Sequence, residues 1–111
     1  MTPLQLAQTQ FEAYNARDLA AFIACYSESV QVFRPPSPLP TLVGKAAFAE
    51  FYATQRFNCL ALKAELVNRM VLGDTVIDHE RIHGLGEKPL EMAVVYQVQH
   101  DLIQTVHAYP A

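Results

Sequence analysis

The sequence of 111 residues is poor in cysteine, which excludes several protein classes. Its two cysteines, Cys25 and Cys59, stand apart, with no C-x-x-C pair and no histidine cluster at metal-ligand spacing. We interpret both as reduced thiols in the core. Neither a disulfide framework nor a metal site is indicated, and we expect no cofactor.

Charge is also scarce. Charged residues make up 17% of the chain, whereas about a quarter is usual in globular domains. The 8 basic and 11 acidic residues give a net charge of −3, and no basic cluster is present. Nucleic acid and anionic membranes are therefore not expected partners. Because little polar surface is available, a buried subunit interface is indicated.

Long apolar runs are absent as well. No run reaches the roughly 18 residues of a membrane-spanning helix. The amphipathic, uncharged N-terminus "MTPLQLAQTQF" does not resemble a signal peptide. We expect a cytoplasmic protein with a single domain spanning residues 1–111.

Helical signals occupy the first half of the chain. Thr2 and Gln5 form a capping-box pattern around Pro3, Asp18 can cap a second, short helix, and Gly44 opens a third. A strand, "SVQVFR", follows the second helix. The stretch "RPPSPLPT" has four prolines in eight residues and predicts an extended loop.

The second half reads as a meander of strands. Turn signals separate "LALKAELVNRMV", "TVIDHERIH", "LEMAVVYQVQ" and "LIQTVHAY". Helices followed by long antiparallel strands predict an α+β fold, with the helices packed on one face of the sheet.

Three stretches resemble the SnoaL-like branch of the nuclear-transport-factor-2-like superfamily, which includes the ketosteroid isomerases. They are "YNARDLAAFIACYSESVQVFRP", "VGKAAFAEFYA" and "LIQTVHAYP". The resemblance implies a cone-shaped, cystatin-like fold, with three N-terminal helices on a curved, mostly antiparallel sheet. It also implies an apolar pocket inside the cone and a homodimer through the outer sheet face.

The isomerase chemistry does not transfer to this sequence. Arg34 stands where that family has its aspartate base, and Val94 and Gln10 stand at the two oxyanion donors. Two supporting tyrosines, Tyr26 and Tyr52, do match.

The related limonene epoxide hydrolases offer "E-R-x-D" as a second template. Arg81 matches its arginine, but His83 and Ala108 occupy the places of the two aspartates. We also find no complete set of polyketide cyclase residues.

Strand parity then selects the candidate catalytic residues. Because alternate side chains of a strand share a face, and both templates turn Arg81 inward, His79 and His83 are predicted to face the pocket with it. Asp78 and Glu80 are predicted to face outward. Arg34 is the fourth catalytic candidate. A polar surface role for the two histidines remains an alternative.

The predicted pocket has apolar and aromatic walls. The substrate-binding candidates are Tyr14, Tyr26, Phe51, Tyr52, Met92, Val94, Tyr96 and Val106. On the last strand, Gln104 and Ala108 are also predicted to face inward with Val106. The opposite face of that strand is predicted to form the dimer interface, through Ile103, Thr105, His107 and Tyr109.

A buried arginine stays charged and needs a partner. Unless a helix carboxylate such as Glu12 or Glu50 reaches the pocket, the anion is supplied by the ligand. A small organic acid or an enolate-forming carbonyl compound fits, with a histidine as base.

Three functions stay open at this point. The first is an isomerase, cyclase or hydrolase acting on a small apolar carbonyl or acid substrate. The second is a ligand-binding or dimerisation module without catalysis. The third is a protein-interaction role.

Overall fold

The computed structural model describes all 111 residues. In chain order its elements are α1 (Pro3–Ala16), α2 (Leu19–Ile23), β1 (Tyr26–Phe33), β2 (Pro40–Val43), α3 (Lys45–Gln55), β3 (Lys63–Leu72), β4 (Thr75–His83), β5 (Leu90–Gln99) and β6 (Leu102–Pro110). The strands form one sheet in the order β2-β1-β6-β5-β4-β3. Neighbouring strands are antiparallel except β1 and β6, which are parallel. The predicted α+β architecture is confirmed.

The helix starts follow the predicted caps. The Thr2 hydroxyl accepts a hydrogen bond from the Gln5 backbone N–H at 3.1 Å, and the Gln5 side chain accepts from the Thr2 N–H at 2.8 Å. Asp18 caps α2 through the N–H of Ala21 at 3.1 Å. None of the helices has both the length and the apolar character needed to span a bilayer.

The proline-rich segment is more ordered than predicted. Its last residues begin β2, which pairs with β1 at the sheet edge, with Leu42 opposite Val32. Prolines are tolerated in an edge strand because one of its sides needs no ladder hydrogen bonds. The expectation of a loop throughout "RPPSPLPT" was therefore wrong at Pro40 and Thr41.

The facing of β4 is opposite to the prediction. Asp78 and Glu80 are buried, with 0% and 5% of their surface exposed. The cause lies in the register, which sets Asp78 opposite Val94 and Glu80 opposite Met92 on β5. Residues directly opposite each other share a face of the sheet, and β5 turns these two apolar side chains toward the helices.

The outer face of β4 therefore carries His79, Arg81 and His83. The Nε2 of His79 lies 2.6 Å from a carboxylate oxygen of Glu91, and the Nε2 of His83 lies 3.0 Å from one of Glu65. Arg81 lies between the same two glutamates, at 3.5 and 3.7 Å. Between 38% and 43% of each of these three side chains is exposed. The prediction that they face the pocket was wrong.

A β-bulge on β3 brings a cation to the inner face. Leu66 pairs with Glu80 and Asn68 pairs with His79, so Val67 has no partner of its own. Such an extra residue reverses the facing of everything beyond it. Arg69 consequently lies on the inner face, opposite Asp78.

A second bulge changes the facing of β6. Thr105 pairs with Gln97 and Ile103 pairs with Val98, so Gln104 is the extra residue. Ile103 is therefore fully buried in the core, and its assignment to a dimer interface was wrong. The Gln104 side chain bonds to Ser27 and Ser29 and not to the pocket, contrary to prediction. Dimerisation through the remaining outer residues, Thr105, His107 and Tyr109, stays a prediction.

Candidate functional site

A cavity of about 100 Å³ lies between the helices and the inner face of the sheet. Seven of the eight predicted ligand-binding side chains line it, and they are Tyr14, Tyr26, Tyr52, Met92, Val94, Tyr96 and Val106. Phe51 does not line the cavity and packs beside Tyr52, with ring centroids 5.2 Å apart. The side chains of Val32, Ile82 and Ala108 complete much of the apolar wall.

An aromatic cluster fixes the tyrosines in the wall. The buried ring of Phe22, from α2, lies 5.9 Å from that of Tyr14, 5.1 Å from that of Tyr26 and 4.8 Å from that of Tyr52, measured between centroids. These tilted arrangements are favourable for aromatic pairs. One short helix thus holds phenol groups from α1, β1 and α3 around the same space.

Glu80 is the only carboxylate that lines the cavity. No protein group forms a hydrogen bond to its side chain, and no fully enclosed side-chain oxygen in the structure lacks a partner. Its carboxyl oxygens must therefore open onto the cavity. Burial raises the pKa of Glu80 to about 7, the negative charge of Asp78 raises it further, and Arg69 opposes both effects. The group can accept or release a proton near neutral pH.

A buried ion pair lies beside Glu80. The Arg69 guanidinium donates two hydrogen bonds to the Asp78 carboxylate, at 2.7 and 2.9 Å, and a third to the side-chain oxygen of Gln8 at 2.8 Å. The hydrogen bonds that Arg69 donates to Asp78 are the main reason that the pKa of Arg69 is raised. Because Asp78 already engages Arg69, Glu80 has no cation of its own.

A polar chain crosses the wall next to Glu80. The Tyr26 hydroxyl donates to the side-chain oxygen of Gln10 at 3.0 Å. The Gln10 amide nitrogen donates to the Ala7 carbonyl at 2.9 Å and to the Tyr96 hydroxyl at 3.3 Å. The Tyr96 oxygen is thus an acceptor, and its own hydrogen has no acceptor within the protein.

Two further phenols have no hydrogen-bond partner in the protein, Tyr14 and Tyr52. Burial is the main cause that raises the pKa of both, and that of Tyr96. All three stay neutral hydroxyls at physiological pH. Neutral phenols on the wall of a largely apolar cavity are suited to donate to a carbonyl oxygen that gains negative charge.

Arg34 and Arg56 form the cationic end of the cavity. Arg34 follows β1 and is exposed, whereas Arg56 follows α3 and is partly exposed, so both lie toward solvent. Arg34 is the one predicted catalytic candidate that the structure places against the cavity. Arg56 was not recognised from the sequence, because nothing in "ATQRFN" sets it apart.

His79 borders a different, shallow depression on the outer face, with Glu91 and Tyr109. No group of three or more histidine, cysteine, aspartate or glutamate side chains is close enough together to hold a metal ion.

Comparison with known proteins agrees with this architecture. A protein from Kribbella flavida, provisionally assigned as a ketosteroid isomerase, matches with a TM-score of 0.83 and 19% identity, over 96% of this chain and 76% of its own. A Sinorhizobium meliloti protein provisionally assigned as a polyketide cyclase matches with a TM-score of 0.79 and 14% identity, over 94% and 93%. A computationally designed 17-OHP binder matches with a TM-score of 0.84 and 16% identity, over 98% and 94%.

At these identities the structural matches establish the fold. No curated protein matches the sequence. The SnoaL-like domain family, however, matches residues 7–106, which is most of the chain. The resemblance inferred from the sequence is confirmed, and the chain belongs to the SnoaL-like domain family.

Proposed function

We propose that this protein binds a small apolar carbonyl compound in the cavity and moves a proton at the carbon next to the carbonyl group. Glu80 is the base, in the role that the sequence had suggested for a histidine. The supporting observation is a lone carboxyl, 5% exposed, with a pKa of about 7 and open to an apolar cavity. A base with a pKa near the working pH is the most effective kind.

The residues that line the cavity include both the base and the hydrogen-bond donors that the proton transfer needs. The Glu80 carboxylate removes a proton from the carbon next to the carbonyl. The electron pair of that C–H bond forms the C=C bond of an enolate, while the π pair of the carbonyl group moves to its oxygen. The hydroxyls of Tyr14, Tyr52 and Tyr96 are the available donors to the resulting enolate. Protonated Glu80 then returns the proton, to the same carbon or to a conjugated one, which gives exchange or isomerisation.

The size of the cavity supports a small substrate. An enclosed cavity of about 150 Å³ is enough for benzene, and the present one has about 100 Å³ and is partly open. The names of two structural relatives, a ketosteroid isomerase and a polyketide cyclase, fit enolate chemistry. The designed 17-OHP binder fits use of the same fold for ligand binding alone.

The test is proton exchange at the carbon next to a ketone. Cyclohexanone in deuterated buffer is followed by NMR, and 3-cyclohexenone is followed by ultraviolet absorbance as it becomes the conjugated enone. We expect Glu80→Gln to lower the enzymatic rate by roughly 10²- to 10⁴-fold, the usual contribution of a general base. The wild-type rate should rise with pH up to about 7 and then level off, because the carboxylate is the active form.

Glu50→Gln is the matched control, since Glu50 is exposed, lies outside the cavity and forms no ion pair. Its rate should equal that of the wild type. His79→Gln tests the outer-face alternative. A loss of activity in His79→Gln with full activity in Glu80→Gln would overturn the proposal, and so would ligand binding without any exchange.

A further inference from the structure

We propose that the ligand is a small oxo acid, whose carboxylate is bound by Arg34 and Arg56 while its ketone lies at Glu80 and the tyrosines. The assignment of the ketone end rests on the proposed function. The assignment of the carboxylate end depends on the two arginines alone, so the two assignments can be tested separately.

The two arginines reach the cavity from different elements. Arg34 comes directly after β1 and Arg56 directly after α3, and both side chains line the cavity. Burial raises the pKa of Tyr52, and the positive charges of Arg34 and Arg56 both oppose that rise, so both act on the same phenol. Two cations that share one end of a cavity repel each other unless an anion lies between them.

No protein anion fills that place. The carboxylates in ion pairs contact Lys45, Arg69, Arg81 and the two outer histidines, and neither Arg34 nor Arg56 is among their partners. The helix carboxylates that the sequence left as alternatives do not reach the cavity. Glu12 bonds to the Gln8 amide at 2.8 Å, and Glu50 is exposed.

Arg56 is held in position without using up its donors. Its guanidinium carbon lies 4.9 Å from the centroid of the Phe51 ring, and its Nη1 donates to the Gln55 carbonyl at 2.8 Å. A guanidinium carries five N–H donors. Most of those on Arg56, and all of those on Arg34, have no acceptor in the protein.

The charges also set the orientation of the ligand. Glu80 is the only anionic group on the cavity wall, whereas the two cations lie toward solvent. A carboxylate is repelled from Glu80 and attracted to the arginines, so it stays at the open end. The apolar part of the ligand then spans the wall of Val94 and Met92, which leaves the ketone beside the tyrosines.

The test uses a matched pair of probes, 4-oxopentanoate and its primary amide, and isothermal titration calorimetry at low salt. We expect the wild type to bind the acid at least tenfold more tightly than the amide, because only the carboxylate accepts charge-assisted hydrogen bonds from both guanidinium groups. Arg34→Gln and Arg56→Gln should each weaken binding of the acid and leave the amide unchanged. The double variant should have no preference.

Lys63→Gln is the control, since Lys63 is an exposed cation on β3 that does not line the cavity. It should keep the wild-type preference. Equal binding of acid and amide by the wild type, a preference that survives in the double variant, or no binding of either probe would overturn the proposal.

The same titration in Glu80→Gln separates this proposal from the proposed function. The preference for the acid should persist there, because the arginines are intact. If proton exchange fails but the preference holds, only the catalytic role of Glu80 is lost. If exchange of neutral ketones is normal and the preference is absent, only the carboxylate site is lost.

Discussion

Replacement of Glu80 by glutamine should remove the loss of stability that this carboxyl causes in the wild type as the pH rises. The folded state raises the pKa of this carboxyl to about 7 by burial and by the nearby Asp78, from an ordinary value of about 4.3. The folded protein thus binds this proton more tightly than the unfolded chain does. Stability from this group is complete below about pH 4.3 and is lost as the pH rises to about 7.

The size of the effect follows from the pKa difference. Each pKa unit corresponds to about 1.4 kcal/mol, so the full loss is roughly 3 to 4 kcal/mol. Between about pH 5 and about pH 8.5 the wild type should lose roughly 2 to 3 kcal/mol of this total. Glutamine has nearly the shape of the protonated acid and cannot ionise. The variant should therefore be close to the wild type at the lower pH and clearly more stable at the higher one.

The assay is urea unfolding across this pH range, with Glu50→Gln as control, because Glu50 is exposed and forms no ion pair. The curve of free energy of unfolding against pH should be flatter for Glu80→Gln than for the control. Parallel curves for the wild type and Glu80→Gln would refute the reasoning, since Glu80 would then have the same proton affinity in the folded and unfolded states.

Two further predictions concern the support of the site. Arg69→Met should destabilise the fold by roughly 3–5 kcal/mol in chemical denaturation, because it leaves the buried Asp78 carboxylate without its cation. A loss of unfolding free energy no larger than that caused by removal of an exposed ion pair would contradict this expectation. Gly84→Ala should also destabilise, since its φ is 96° and the added Cβ would lie 2.2 Å from the Ala61 carbonyl oxygen. Gly86→Ala is the control and should have little effect, because no atom lies within 4 Å of an added Cβ. Equal losses in the free energy of unfolding at Gly84 and Gly86 would be inconsistent with the clash.

The fold was predictable from the sequence because its signals are local. The caps at Thr2 and Asp18 and the positions of the four long strands depend on residues that are close together in the chain. The apolar wall was predictable for the same reason, since β5 and most of the aromatic positions follow regular periodicity. Phe51 was misassigned because both it and Tyr52 are apolar residues of one helix, and the sequence does not reveal which of them turns to the cavity.

The sequence by itself determined the α+β class, the family and the apolar, tyrosine-rich character of the pocket. The tertiary structure alone decided which charges enter that pocket. In "DHERIHG" the acidic residues and the basic residues alternate, so both faces of the strand are polar. The sequence of such a strand indicates only weakly which face turns toward the core. The pairing of Asp78 with Val94 and of Glu80 with Met92 decides which face of β4 turns toward the core. The bulge at Val67 then brings Arg69 to Asp78, which leaves Glu80 alone in the cavity.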